Sequence, residues 1–269
     1  MKRNIQQLKE HYEIEKELAN RLKLSTQEER KYLYSSVYDE MFKKVPLHPQ
    51  LTRKKDFIGT KMNIVYQMLF LKRFLKKDMI FAEIGAGDCA LSFAVCRNVK
   101  KVYAVDVSEE ITNNNIPPVN FQLIISNGQS IPLPPESIHI VYSNQLMEHL
   151  HPSDALEQLH NIKNVLTNGG KYICLTPNRI NGPHDISKYF DIEASGFHLK
   201  EYTFAELNNL FKQVGFKTVC GYFGFKVIYL KTPVFLILKL ERLINYLPRS
   251  IKRLTLFKPI LSIKIVGIK

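Results

Sequence analysis

Apolar and polar positions change rhythm along the chain. Residues 1–24 are rich in Glu, Lys and Leu and hold no Gly or Pro, the texture of a surface helix. A second helix is expected from Thr26 to about Lys44, with Thr26 or Ser25 as N-cap and Glu28 and Glu29 in the first turn. Pro46 and Pro49 mark an irregular connector, after which Val65, Met68, Leu69 and Leu75 recur at helical spacing over residues 62–75. From about residue 79, short apolar runs alternate with helical stretches. The runs cover residues 80–84, 102–106, 121–125, 138–142 and 172–176. A helix from about Pro152 to Leu166, stopped by Asn168-Gly169-Gly170, separates the last two. Such alternation predicts an α/β fold whose parallel sheet is covered on both faces. Thr203-Phe204-Ala205-Glu206 is a capping box. It opens a helix with the stripe Phe204, Leu207, Leu210, Phe211 and Val214, ended by Gly215. Residues 217–222 read as a sixth strand and 261–268 as a seventh.

Composition narrows the class. A chain of 269 residues, 45% hydrophobic and 23% charged, is globular and suits one α/β domain with extensions. No apolar run reaches the roughly 18 residues of a membrane span, and the basic N-terminus has no apolar stretch behind it. Cys89, Cys96, Cys174 and Cys220 have no CxxC spacing, which argues against a zinc site or disulfide framework and for a reducing compartment. The net charge of +13 is uneven: +4 over residues 1–60, zero over 61–224 and +9 over 225–269. The neutral middle reads as an ordinary domain. The basic tail suits either a solvated helix face or a surface that meets phospholipid, nucleic acid or a phosphate-bearing substrate.

The sharpest chemical signal is the loop after the first strand, Glu83-Ile84-Gly85-Ala86-Gly87-Asp88-Cys89-Ala90. Strand, glycines and helix in that order let backbone N–H groups approach a ligand at a helix N-terminus. Asp106 ends the next strand, 21 residues after Gly85, where an acid can accept both hydroxyls of a ribose. Alone, the pattern fits a dinucleotide site, an adenosyl site or a tight turn with no ligand.

Five ordered motifs over about residues 62–224 break the tie, because together the region resembles the class I S-adenosylmethionine-dependent methyltransferases, type 11-like. Glu83-Ile84-Gly85-Ala86-Gly87-Asp88-Cys89 is similar to their first motif, with Cys89 in place of the third glycine. The family's ribose-binding acid falls on Asp106. Asn127-Gly128 stands where an acidic residue and its neighbour bracket the adenine, and Asn127 can still accept from the adenine amino group. Ile138-His139-Ile140-Val141 departs from the family's Asp at His139. Asn144 through Leu150 and Thr167 through Lys171 complete the set. The resemblance implies a Rossmann-like methyltransferase fold: a mostly parallel seven-stranded sheet with helices on both faces, N-terminal helices, and a helical insertion before the last strand. It implies S-adenosyl-L-methionine as cofactor, bound by Glu83, Gly85, Gly87, Asp106, Asn127, Gly128 and Asn144. Glu83 also stands where dinucleotide folds place an apolar residue, which disfavours an NAD-dependent oxidoreductase.

Catalytic groups are expected beyond the carboxyl ends of the fourth and fifth strands. Glu148, His149 and His151 follow the fourth, but their spacing fits no common zinc motif, so no metal is expected. His149 is either a general base for an oxygen nucleophile or a loop-orienting group beside a transfer driven by alignment. After the fifth strand comes a long polar loop with His184 and Asp185, a candidate base and orienting carboxylate, though adjacent residues rarely face one another. Arg179 either holds an acceptor phosphate or carboxylate or is a surface residue.

Two units are expected: residues 1–60 as a helical extension, with Tyr32, Tyr34, Tyr38 and Phe42 either covering the substrate pocket or packing outside, and residues 61–269 as the methyltransferase domain. The insertion at about 225–260 joins an apolar helix to basic residues. It suits an interfacial membrane element, a dimer interface or a lid. The lack of an (Asp/Asn)-Pro-Pro-(Tyr/Phe) motif after the fourth strand favours transfer to oxygen on a small-molecule, sugar or lipid-linked acceptor. The neutral core and the absence of a recognisable RNA- or DNA-binding motif argue against nucleic acid, with an RNA methyltransferase as the alternative. The expected location is cytoplasmic, with peripheral contact at an anionic inner membrane face; the oligomeric state stays open.

Overall fold

The computed structural model describes residues 3–49, 51, 57–107, 116–225, 227–254, 257 and 262–269. Helices α1 (Ile5–Leu24) and α2 (Gln27–Lys44) each begin with a capping box, at Asn4 and at Thr26, that satisfies orphan N–H groups reciprocally. Helix α3 (Phe57–Leu71) lies several residues earlier than the spacing suggested. Then come β1 (Ile80–Ile84), α4 (Ala90–Cys96), β2 (Lys101–Asp106), β3 (Phe121–Ile125), β4 (Ile138–Asn144), α5 (Pro152–Val165) and β5 (Leu166–Thr176). The chain continues with α6 (Phe204–Val214), β6 (Thr218–Phe225), β7 (Ile228–Thr232), α7 (Val234–Asn245), α8 (Arg249–Lys252) and β8 (Ile263–Ile268). The capping box at Thr203 and the left-handed Gly215 bound α6 as its sequence requires.

The strands form one sheet in the order β3-β2-β1-β4-β5-β8-β6-β7. Strands β1 to β5 are parallel, β8 runs antiparallel to both neighbours, and β7 is antiparallel to β6. The period-2 alternation of buried strands splits the core. Ala82, Ile84 and Val141 pack with α1, α2, α5 and α6 on one face. Phe81, Ile140 and Tyr142 pack with α3 and α4 on the other.

Two expectations need correction. The sheet has eight strands, not seven, because β7 lies inside the stretch read as a helical insertion. Its signal is short: Tyr229 is buried, while Ile228 and Leu230 face solvent, so five residues before Pro233 carry little alternation. Strand β5 also starts at Leu166 and runs through Asn168-Gly169-Gly170, which does not end the preceding helix. His139 gains an account here. The β4–β5 register shifts between Ile138 and Ile140, and the His139 ring Nδ1 accepts the Ile80 N–H at 3.1 Å, tying the start of β1 to β4.

Candidate functional site

Strand order reverses beside β1, whose neighbours β2 and β4 are reached by crossovers in opposite directions, and a cleft opens at the carboxyl ends of these strands. Gly85, Gly87, Asp106, Gly128, Gln145, Leu146 and His149 line it. The Asp106 carboxylate accepts the Gly87 N–H and the Val107 N–H, each at 2.7 Å, so the loop and the second strand's end form one unit. Gly87 has φ +53°, and a Cβ there would meet no atom within 4 Å, so the backbone borders open cleft. Cys89, standing for the third glycine, adopts φ 58° and is buried: a non-glycine residue carries the left-handed turn that starts α4. Gly128 has φ +83°, with a Cβ position 3.2 Å from the Tyr34 ring. Its carbonyl is held by Gln158 Nε2 at 2.7 Å, which moors this turn to α5.

The remaining residues of the cofactor set lie around the cleft and do not line it. Glu83 is buried beneath the loop, where the Ser92 hydroxyl donates to it at 2.6 Å; burial pushes its carboxyl up to about 8. Asn127 Oδ1 accepts from Gln129 N–H, Ser130 N–H and the Ser130 hydroxyl at 2.8–3.1 Å, so its oxygen closes its own turn. Asn144 turns its amide to Gln67 at 3.2 Å.

The far wall carries the ionisable groups. Glu148 and His149 sit on a short 3-10 turn after β4. His149 Nδ1 donates to the Phe197 carbonyl at 3.0 Å, which leaves Nε2 as the lone-pair nitrogen. Burial and the neighbouring His198 push its pKa down to about 3, so the ring is neutral. His198 stands edge-on to it, ring centroids 4.9 Å apart, with Nδ1 2.6 Å from Glu201 Oε1. A second polar knot reaches this wall from α1: Glu15 Oε1 meets His11 Nε2 at 2.6 Å, and Glu15 Oε2 accepts the Phe197 N–H at 3.3 Å.

His184 and Asp185 are not brought to the cleft. His184 Nε2 contacts the Asn178 carbonyl at 3.0 Å and its N–H binds Glu201. Asp185 accepts from Ser187 N–H and Gly196 N–H at 3.0 and 3.1 Å. They brace the loop and do not pair. Sequence reasoning missed His198, 49 residues from His149, because only the loop's return places the two together. Helix α2 supplies Tyr34, Tyr38, Asp39 and Phe42 to the cleft. Behind His198 a groove of about 820 Å³ is lined by Arg179, Lys200, Arg242, Arg249 and Lys252 together with Glu193, Glu201 and Glu241.

Residues 82–174 match the model of a methyltransferase domain family. Probable S-adenosylmethionine-dependent methyltransferases of two Mycobacterium tuberculosis strains are 31% identical to the chain over 165 residues, 60% of this chain and 56% of theirs. The chain thus spans about half the length of the curated relatives it matches. Among solved structures, an S-adenosylmethionine-dependent methyltransferase from Archaeoglobus fulgidus shares the fold at a TM-score of 0.57 and 17% identity, covering 82% of this chain and 100% of that one. Another from Mesorhizobium loti does so at 0.54 and 13%, covering 77% and 100%. Residues 82–174 therefore resemble a methyltransferase domain, and the fold is the one seen in solved S-adenosylmethionine-dependent methyltransferases. The curated relatives matched are described as S-adenosylmethionine-dependent.

Proposed function

We propose that this protein transfers the methyl group of S-adenosylmethionine to an oxygen of a small-molecule, sugar or lipid-linked acceptor. The acceptor oxygen attacks the methyl carbon, the carbon–sulfur bond pair returns to sulfur, S-adenosylhomocysteine leaves, and the hydroxyl proton passes to water. The observation that carries this reading is one cleft combining the glycine loop, Asp106 and a neutral His149. Gly85, Gly87 and Gly128 bring backbone to the cofactor and Asp106 takes the ribose hydroxyls; Glu83, Asn127 and Asn144 hold the surrounding turns. With a pKa of about 3, His149 is a poor proton acceptor, so its role is to align the acceptor hydroxyl through Nε2. Tyr38 and Phe42 of α2 cover the acceptor side, and the basic groove behind His198 suits an acceptor with an anionic group.

Isothermal titration of S-adenosylhomocysteine against the protein and Asp106→Ala tests the cofactor part. Binding weakened at least about tenfold in the variant supports it, in keeping with the loss of a charge-assisted hydrogen-bond pair; equal binding removes Asp106 from the site. Labelled-methyl transfer to lysate fractions, separated into glycolipid, RNA, protein and small molecules, tests the acceptor. Label in RNA alone overturns the oxygen-acceptor reading.

We also propose peripheral contact with anionic lipid through α7, on which Phe235, Leu236 and Leu243 face outward among exposed Lys239 and Arg242, with Tyr246 exposed at its C-cap.

A further inference from the structure

The geometry points to a binding site for one divalent first-row transition-metal ion, held by Glu148, His149 and His198 on the acceptor side of the cleft. One ligand atom from each residue lies within 4.8 Å of the others. Ligands at roughly 2.1 Å from a shared ion stand about 3–4 Å apart, so a small closing movement of the side chains suffices. Glu148 is wholly buried and only half used: Oε2 accepts the Thr176 hydroxyl at 2.8 Å, and Oε1 has no hydrogen-bond partner among the described residues. A buried carboxylate oxygen without a donor is costly, and a cation beside it offsets that cost.

The two imidazoles have the outer partners that metal-bound histidines have. His149 turns Nδ1 to the Phe197 carbonyl and His198 turns Nδ1 to the Glu201 carboxylate. Each keeps Nε2 for an ion and has an outer partner that fixes its ring. Two nitrogens and one carboxylate suit zinc, manganese, iron or cobalt, while magnesium and calcium prefer oxygen alone. The ion would lie between the cofactor cleft, lined by His149, and the basic groove, lined by His198. From there it can ligate the acceptor hydroxyl and lower its pKa, so that with the ion bound the metal, and not His149 Nε2, aligns the acceptor. That role rests on the oxygen-acceptor reading; the binding site does not.

The test uses full-length protein stripped with chelator and titrated with Co²⁺, followed by visible absorption and calorimetry, with Mg²⁺ as the contrasting ion. Expected are one Co²⁺ per chain, a d–d band, and Co²⁺ affinity weakened at least about tenfold in His198→Ala and in Glu201→Gln. His11→Ala, which alters the other His/Glu cluster, should bind as the parent does. S-adenosylhomocysteine binding is measured in parallel to show that each variant is folded. A folded parent that binds the nucleoside but no Co²⁺ overturns the metal site and leaves the transfer reading standing. So does Co²⁺ binding that is unchanged in both His198→Ala and Glu201→Gln. Co²⁺ binding lost with His198→Ala in a protein that transfers no methyl keeps the site and removes the transfer reading.

Discussion

Glu83 shows what a buried carboxyl does to stability. Its folded pKa of about 8 lies above the ordinary 4.5, so the fold holds a proton that the unfolded chain gives up. The contribution is fully present below pH 4.5 and is lost as pH rises through 8. Glu83→Gln cannot ionise, so it should match the parent near pH 4.5 and exceed it by up to about 4–5 kcal/mol at pH 8.5. Urea unfolding over that range checks this; a difference independent of pH would contradict the buried-proton account. The loop residues Gly85, Gly87, Asp106 and Gly128 were legible because glycine and a strand-end acid have chemistry that local sequence dictates. Asn127, His184 and Asp185 have the right atoms, but neighbouring N–H groups claim the oxygens of Asn127 and Asp185, and the Asn178 carbonyl claims the His184 ring. Tyr38 was legible only as a helix aromatic, and the sequence offered covering the pocket and outside packing as equals.

At the scale of elements, α2 is riveted to the N-terminus of α5. Arg30 binds Asp154 through Nε at 2.6 Å and Nη2 at 2.9 Å, and the Tyr34 hydroxyl donates to the same carboxylate at 2.6 Å. The Arg30 and Asp154 side chains are 3% and 0% exposed, so removing one strands the other. Although burial works against its charge, hydrogen bonds from Arg30 and Tyr34 hold Asp154 below the usual carboxylate range. Asp154→Ala should cost about 3–5 kcal/mol in urea unfolding. It should also weaken S-adenosylhomocysteine binding, since Tyr34 borders Gly128. Breaking the exposed Arg21–Glu40 pair should cost under about 1 kcal/mol. A loss from Asp154→Ala no larger than that would deny the rivet its role. The caps at Thr26 and Thr203 were readable because a capping residue and its partner are close in sequence, whereas the box at Asn4 was not read. Strand β7 was not, since its pairing with β6 supplies what its own pattern lacks.

Over the whole molecule, charge and chemistry are segregated. The tail's one acid, Glu241, is buried and accepts Phe204 N–H and Ala205 N–H at the start of α6, with Asn178 Nδ2 as a third donor. The outer face of the tail is therefore cationic among the described residues, with Lys231, Lys239, Arg242 and Arg253 exposed beside Phe235 and Tyr246. At about 1 kcal/mol for each basic group near an anionic surface, and with attraction decaying over about 8 Å, these groups and the apolar side chains are needed together. The protein should pellet with anionic vesicles at low salt and not with neutral ones. Phe235→Ser/Tyr246→Ser should reduce pelleting several-fold; absence of pelleting at low salt discards the lipid contact. No helix among the described residues is long and apolar enough to cross a membrane. The basic run was visible in the sequence, but Glu241's withdrawal from the surface was not, because it depends on where α6 begins in space. Lys258 lies outside the described residues.

The place of β8 bears on how the protein is made. It lies between β5 and β6, yet its residues follow both β6 and β7 in the chain. A ribosome therefore delivers the β6–β7 hairpin before the strand that joins it to the rest exists. Until then the edge of β5 stays open, a site for premature pairing that the newcomer must outcompete. A stalled nascent chain ending before Ile263 should leave the hairpin sensitive to protease while β1 to β5 are already protected. Once residues 263–268 have left the exit tunnel, the sheet should close in a single step.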